Sequence, residues 1–219
     1  MSSAVAIKSP ESPVKPAGGR PRRALRLLEL FPEQGQWTEA DYFALPATHR
    51  IVELSEGRVV IPEMSTDSHQ YTVGELFVVI RSFVRDRNLG QVRVAPLPIR
   101  LWPGKIREPD IVFMHRDHAD RIGEEYWGVP DLVVEVISPR TPQSSGTEST
   151  DRRQKLWEYA QAGVAEYWLV HPTERSIEVY GLRGETYHLL GRWRMGEVAR
   201  SEVLNGLEVA VEAVFGRSE

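Results

Sequence analysis

Leu132-Val133-Val134-Glu135-Val136-Ile137, near the middle of the chain, is an apolar run that contains a single glutamate. Continuous apolar runs of this length are typical of a strand that is buried on both faces. The segment 151–162 then reads as a helix that ends at Gly163, and the apolar residues 167–170 predict another strand. Strand, helix and strand at this spacing predict a crossover between two parallel strands, and hence an α/β fold.

The segments on either side predict a larger sheet with helices on it. The predicted elements are a capped helix at 38–43, a hairpin of 50–54 with 58–61, an amphipathic helix at 68–87, strands at 92–94, 99–102 and 110–114, and late strands at 177–180, 186–190 and 203–211. We therefore expect a mixed β-sheet flanked by helices, with an N-terminal hairpin and a C-terminal β-meander.

Length and composition predict one globular domain over 24–219, because 219 residues with 41% hydrophobic side chains suit a single core. Residues 1–23 carry prolines and basic residues with almost no large apolar side chains, which predicts a disordered basic tail. No apolar run reaches the ~20 residues of a membrane span. The absence of cysteine excludes disulfides and thiolate metal sites, and we expect a cytoplasmic protein without membrane contact.

The charge balance limits the possible partners. A net charge of -4 argues against a protein that coats nucleic acid indiscriminately, since such binding depends on Lys and Arg neutralising phosphates. This net charge is still compatible with a local basic groove on one face, beside a site where a divalent metal neutralises the carboxylates.

Three ionisable residues lie in or beside apolar elements, where an unpaired charge is costly. Asp110 opens the strand 110–114, and Glu135 lies inside the strand that begins at Leu132. Carboxylates at matching height on adjacent strands would repel each other unless a cation sat between them, and oxygen ligands suit Mg²⁺ or Mn²⁺. The carbonyl of Val136 is a further candidate ligand, and Lys155 on the following helix could hold a phosphate or lower the pKa of an attacking water.

Spacing alone leaves a structural alternative for each of these residues. Asp110 could cap the start of its strand, Glu135 could be a buried salt-bridge partner, and Lys155 could be a solvated helix residue.

Longer motifs resemble a known family. The strings EPDIVF (108–113), PDLVVEVISP (130–139) and KLWEYAQAGVAEYWLV (155–170) closely resemble the Uma family of putative restriction endonucleases, within the PD-(D/E)XK nuclease superfamily. The likeness runs from about Tyr42 to Phe215 and includes Glu53 and His69.

The resemblance implies roles for individual residues. Asp110 matches the Pro-Asp half-motif and Glu135 the acidic residue of the E-x-K half-motif, both as metal ligands. The superfamily lysine position holds Ile137 here, and in the Uma family the lysine has moved to the next helix, where Lys155 matches it. Glu53 matches a hairpin glutamate that would be a further site carboxylate, while the alternative is a surface acid paired with Arg50 or Arg58.

Three further positions contain histidine. His69, in the first turn of the long helix, has either a site role or a capping and packing role. His171 stands where the family usually has aspartate, and we have no interpretation of that change. The loop His115-Arg116-Asp117-His118 is a candidate for contact with a nucleic-acid backbone, or a solvated turn.

The resemblance implies a restriction-endonuclease-like mixed β-sheet flanked by helices, and a Mg²⁺-dependent endonuclease that hydrolyses DNA phosphodiester bonds. We expect a homodimer, because two copies related by a two-fold axis can cut both strands. One alternative is a catalytically silent DNA-binding or protein-interaction module on the same fold. Another is a metal-dependent hydrolase that acts on RNA or a nucleotide.

Overall fold

The structure is a computed structural model that describes residues 31–46, 50–62, 64–138 and 148–216, without the side chains of 148–151. The chain divides into two units, Met1–Pro32 and Glu33–Glu219. The predicted tail at 1–23 lies outside the described residues. Within the described part of the chain, every helix is too short or too polar to cross a bilayer.

The second unit contains the following elements in chain order: α1 Glu39–Phe43, β1 Glu53–Ser55, β2 Arg58–Val60, α2 Asp67–Asp86, β3 Gly90–Val94, β4 Ile99–Trp102, β5 Lys105–Arg107, β6 Ile111–His115, a 3₁₀ helix Arg116–Arg121, β7 Leu132–Val136, α3 Glu148–Ala162, β8 Glu166–His171, β9 Ser176–Arg183, β10 Thr186–Arg194, β11 Val198–Arg200, β12 Glu208–Ala210 and α4 Val211–Phe215.

The main sheet has six strands in the order β10-β9-β8-β7-β6-β3. Strands β7 and β8 are parallel and are joined by α3, as the sequence predicts, while every other pair in this sheet is antiparallel. A second sheet has the order β2-β1-β5-β4 and contains the predicted N-terminal hairpin. The mixed sheet with flanking helices is therefore confirmed.

Helices α2 and α3 cover opposite faces of the main sheet. Leu76 and Ile80 of α2 are fully buried in one core cluster with the alternating residues Leu132 and Val134 of β7. Tyr159 of α3 lies in the other cluster, which contains Val133. Burying a large aliphatic side chain stabilises a fold by roughly 1.5–3 kcal/mol, so these two layers fix β7 from both sides.

Local signals position the two helices that reach the site. The side chain of Thr66 accepts a hydrogen bond from the His69 amide and begins α2. Gly163 ends α3 with a φ of 87°, in the left-handed region that glycine tolerates, and this fixes the length of the crossover.

Two parts of the sequence-based assignment are wrong. Strand β5 was not predicted, because two of its three residues are charged, yet all three are buried. The strand predicted at 203–211 is instead a turn at 202–206, the short strand β12 and the start of α4. The apolar residues of this segment, including Leu204, Leu207 and Val209, are buried by packing on the α2 side of the main sheet and not by extending it.

Candidate active site

Asp110 and Glu135 meet at one end of the main sheet. Strands β6 and β7 pair with Ile111 opposite Val134, so Asp110, which directly precedes β6, lies level with Glu135. The amide of Val136 donates to Oδ2 of Asp110 at 2.7 Å. The structure therefore brings together the two carboxylates that the sequence places on adjacent strands.

Lys155 reaches the same point from α3. Its Nζ lies 3.1 Å from both carboxylate oxygens of Glu135 and 3.7 Å from Oε1 of Glu53. One turn along α3, the hydroxyl of Tyr159 donates to Oε1 of Glu135 at 2.7 Å. Only 15% of the Lys155 side chain is exposed, so the alternative of a solvated helix residue is wrong.

Glu53 comes from β1 of the second sheet and is buried, with 2% exposure. It pairs with Arg107 on β5, through an NH1 to Oε2 distance of 2.5 Å, and not with an arginine of its own hairpin. Within the described residues its Oε1 has no hydrogen-bond partner, although Lys155 lies near it. The alternative of a surface acid is therefore wrong, and Glu53 faces the same lysine as Glu135.

The two glutamates have different electrostatic surroundings. Burial raises the pKa of Glu135, and the nearby carboxylates of Asp110 and Glu53 raise it further, against the opposing effect of Lys155. Burial alone would also raise the pKa of Glu53, but Lys155 and Arg107 hold it below its usual value. Burial is the largest of these effects on Glu135, and a cation bound beside it would favour the charged carboxylate.

His69 lies against Asp110 from the opposite side. The imidazole is buried, and its Nε2 is 3.3 Å from Oδ2 of Asp110. Burial lowers the pKa of His69, but the contacts with Asp110 and with the backbone of Val136 outweigh that effect, so the pKa is raised. The sequence left a site role and a capping or packing role open for His69. The structure places its side chain beside Asp110, next to the candidate site.

A buried ionic network behind Glu53 was missed from the sequence. Arg107 donates from Nε to Oε2 of Glu158 on α3 at 2.8 Å, besides its bond to Glu53. Lys105 donates to Oε1 of Glu158 at 2.7 Å and to Ser55 Oγ at 2.6 Å. Lys105, Arg107 and Glu158 are each at most 2% exposed. The sequence signal for this network is the pair Lys105 and Arg107 just before the Pro-Asp motif. Their charges made the segment unlike a buried strand.

Other predicted positions lie away from this point. The loop His115-Arg116-Asp117-His118 starts at the far end of β6 from Asp110, about 17 Å away at roughly 3.4 Å per residue. There, His118 Nδ1 is 2.7 Å from Oδ1 of Asp131. His171 ends β8, with its Nε2 at 3.6 Å from Oε2 of Glu178 on β9. The structure does not bring either position into contact with Glu135.

A pocket of about 270 Å³ opens beside Asp110. Its polar lining comes from Arg50, Ser65 and Gln70, and its apolar lining includes Val94 and Pro96. The candidate site is therefore accessible from one side, next to the start of β6.

The candidate metal ligands at this position are hard oxygen donors. They are the carboxylates of Asp110 and Glu135 and the carbonyl of Val136. Among the described residues, no group of three or more His, Asp or Glu side chains is arranged to hold a metal ion. Any metal here would thus depend on two carboxylates, backbone oxygen and water, a ligand set that suits Mg²⁺ and Mn²⁺.

Known proteins resemble this chain over most of its length. The family model "Uma2: Putative restriction endonuclease" matches residues 39–212. A similar solved structure is a crystal structure of "a putative nuclease belonging to DUF820" from Anabaena variabilis, with 20% identity and a TM-score of 0.63 over 81% of this chain and 97% of that chain. At this identity the likeness concerns the fold. No curated protein matches the chain.

Proposed function

The chain belongs to the Uma2 family, whose members are described as putative restriction endonucleases, and we propose that it is a metal-dependent endonuclease that hydrolyses DNA phosphodiester bonds. The observation that carries this proposal is the position of Lys155 on Glu135, level with Asp110. These are the three residue types of the superfamily motif, joined in space although the lysine is out of its usual place in sequence.

The residues present fit a divalent cation. Burial raises the pKa of Glu135, and Asp110 and Glu53 raise it further, so a cation at these oxygen donors would favour the charged carboxylate. We propose that Asp110, Glu135 and the carbonyl of Val136 hold Mg²⁺ or Mn²⁺, with Glu53 as a further carboxylate nearby. A bound metal of this kind would lower the pKa of a water molecule and offset charge on the phosphate.

The protein's own groups would orient the reacting atoms. Lys155 holds an ammonium group beside Glu135 and Glu53, where it can donate to the attacking water or to a phosphate oxygen. The hydroxyl of Tyr159 fixes one oxygen of Glu135, and the amide of Val136 fixes one oxygen of Asp110. Arg107 keeps Glu53 ionised and in place from behind.

A cleavage assay tests the proposal. Supercoiled DNA, linear DNA and RNA are each incubated with the wild-type protein in Mg²⁺, in Mn²⁺ and in a chelator, beside Glu135→Ala. We expect metal-dependent cutting of DNA that Glu135→Ala abolishes. Equal cutting by both proteins would show that the assignment is wrong, and cutting of RNA alone would favour the alternative substrate.

Two observations favour a second candidate, a DNA-binding or protein-interaction module without turnover. The ammonium of Lys155 already lies on Glu135, and the described residues offer no cluster of three metal-binding side chains. Calorimetric titration with Mn²⁺ separates the two candidates, because the endonuclease should bind Mn²⁺ through Glu135 and the module need not bind it.

We further propose that the protein acts as a homodimer, since each chain carries one candidate site and duplex cleavage needs two cuts. The cytoplasmic location expected from the sequence stays a prediction.

A further inference from the structure

A row of paired residues, most of them charged, crosses the main sheet at the level of Glu135. Glu135 pairs with Leu169 on β8, Leu169 with Glu178 on β9, and Glu178 with Arg192 on β10. Paired residues in a sheet present their side chains to the same face, so Glu178 and Arg192 share the face of Glu135. With about 4.8 Å between neighbouring strands, Glu178 lies roughly 10 Å from Glu135 along this row.

Three basic side chains surround the carboxylate of Glu178, and we call these four residues the Glu178 cluster. Arg152 on α3 donates to Oε2 at 2.9 Å, His171 Nε2 lies 3.6 Å from the same oxygen, and Arg192 Nε lies 3.5 Å from Oε1. Arg192 also donates to Glu174. About a third of each arginine side chain is exposed, at 38% and 34%, so the cluster opens to solvent.

His171 is buried beside Glu178, but its Nε2 lies beyond hydrogen-bond distance of that carboxylate. It is only 7% exposed, and its Nε2 has no hydrogen-bond partner among the described residues. A buried polar atom left without a partner costs free energy, and this cost is removed when a ligand supplies the missing partner. The imidazole faces the same carboxylate as the two guanidinium groups, and all three are groups that bind anions.

Helix α3 links this cluster to the candidate active site. Arg152 and Lys155 are three residues apart and therefore lie on the same face of the helix. Lys155 contacts Glu135, and Arg152 contacts Glu178, so one helix presents two cations at two points of the same row. On the other side of Glu135, the row continues to Asp110 and the pocket beside it.

We propose that the Glu178 cluster is a second phosphate subsite, where Arg152, His171 and Arg192 bind a phosphate of the substrate DNA strand near the scissile one. This proposal rests on the proposed function. A strand of DNA carries one phosphate per ~3.4 Å of helix axis, so a phosphate a few nucleotides away can reach a point about 10 Å from Glu135. A guanidinium has five N–H donors, and a phosphate can therefore bind while Glu178 keeps its own contact.

The proposal predicts opposite changes in DNA affinity for loss of an arginine and for loss of the Glu178 charge. Loss of an arginine from the cluster should weaken DNA binding, because a cation that contacts phosphate is lost. Loss of the Glu178 charge should strengthen binding, because the carboxylate repels the phosphate and competes for the same cations. A cluster that only stabilised the fold would lose affinity, or keep it, in both cases.

The test is fluorescence anisotropy of a labelled single-stranded oligonucleotide and of its duplex. Full-length protein is titrated in chelator, where no cleavage occurs, over a series of KCl concentrations. We expect Arg152→Gln and Arg192→Gln each to bind several-fold more weakly, and the slope of log affinity against log salt to fall by about 0.7 on the single strand and about 0.9 on the duplex. We expect Glu178→Gln to bind several-fold more tightly.

Matched controls exclude a general loss of positive charge. Arg153→Gln changes the exposed neighbour of Arg152 on α3, and Arg183→Gln changes an exposed arginine on β9 that pairs with Glu202. Both should bind DNA with the wild-type salt slope. Thermal unfolding of each variant is recorded first, so that binding is measured on folded protein.

The outcomes separate this subsite from the proposed function. If the wild-type protein cuts DNA but the cluster variants keep its salt slope, the endonuclease stands and the subsite is wrong. If the cluster variants behave as expected but the wild type cuts no nucleic acid, the subsite stands and the endonuclease is wrong. Weaker binding by Glu178→Gln would also overturn the subsite, since the cluster would then be structural.

Discussion

Nζ of Lys155 lies 3.1 Å from each carboxylate oxygen of Glu135, a residue twenty positions earlier in the chain. The two residues belong to different elements, α3 and β7, which meet because the crossover helix packs back on its own strand. A lysine two positions after the acidic residue would lie on the same strand. Lys155 instead reaches the carboxylate of Glu135 from α3, which packs on one face of the sheet. The placement of the ammonium group is thus independent of the spacing of the motif.

The first prediction concerns the charge of Lys155. Lys155→Ala should lower single-turnover cleavage by about 10²- to 10³-fold, as does loss of a group that stabilises transition-state charge. Lys155→Arg should keep more activity, although its planar group cannot place its charge at the same point. Mn²⁺ binding, measured by calorimetry, should survive both changes. Loss of Mn²⁺ affinity in Lys155→Ala, with a normal rate at saturating metal, would contradict this role.

The second prediction separates a site carboxylate from a structural one. Glu135→Gln should unfold at the same or a higher temperature at neutral pH, because the amide lacks the charge that burial, Asp110 and Glu53 make costly. Differential scanning calorimetry measures this change, and the heat of Mn²⁺ binding should disappear in the same variant. A loss of about 3 kcal/mol or more would instead identify Glu135 as a buried salt-bridge partner.

The third prediction concerns the ionic network behind the site. Arg107→Ala should reduce the free energy of unfolding by about 3–5 kcal/mol, because it leaves Glu53 and Glu158 buried without their guanidinium. Urea unfolding provides the measurement. Arg85→Ala is the control, since Arg85 pairs with Asp86 on the surface and should change stability by less than about 1 kcal/mol. Equal effects of the two changes would show that the network contributes little.

The fourth prediction is a pH dependence of stability that arises from Glu178. The imidazole of His171, 3.6 Å from Oε2, lowers the pKa of Glu178 to about 2, against burial and with help from Tyr180 and Arg152. A carboxylate with a depressed pKa in the folded state stabilises the protein above the unfolded value of 4.5, and this stability is lost as the pH falls from 4.5 towards 2.

Because the pKa of Glu178 is well below its usual value, the ionised carboxylate stabilises the folded state by an amount on the order of a few kcal/mol. Glu178→Gln should therefore be less stable than the wild type at pH 7, and its stability should fall less between pH 5 and 2. Thermal melts at several pH values measure both effects. Parallel pH profiles for the two proteins would contradict the assignment.

The fifth prediction concerns assembly. We expect sedimentation at micromolar concentration to show a homodimer, with two sites that can cut the two strands of a duplex. A single species near the chain mass of 24.9 kDa would contradict the dimer and would favour a monomer that nicks one strand. The arrangement of Asp110, Glu135 and Lys155 does not depend on this outcome.

Some contacts at the site could be predicted from the sequence, and others could not. The pairing of Asp110 with Glu135 followed from two apolar strands that each carry one acid at matching height. The burial of Glu53 did not follow, because a hairpin with charged residues on both sides of its turn looks exposed until a second sheet packs on it. The burial of Lys105 and Arg107 was missed for the same reason. Their charges are buried only because acidic and polar partners on α3 and β1 pair with them.

The amino-acid sequence by itself determined the crossover of β7, α3 and β8, because apolar periodicity, helix length and Gly163 are local properties of the chain. It also determined which residue types could bind a metal and a phosphate. The tertiary structure alone decided that Glu53 and Lys155 meet at Glu135, that His69 lies against Asp110, and that Arg152 reaches Glu178. These contacts join residues from different layers, and their free energy depends on burial and on distances that no local pattern encodes.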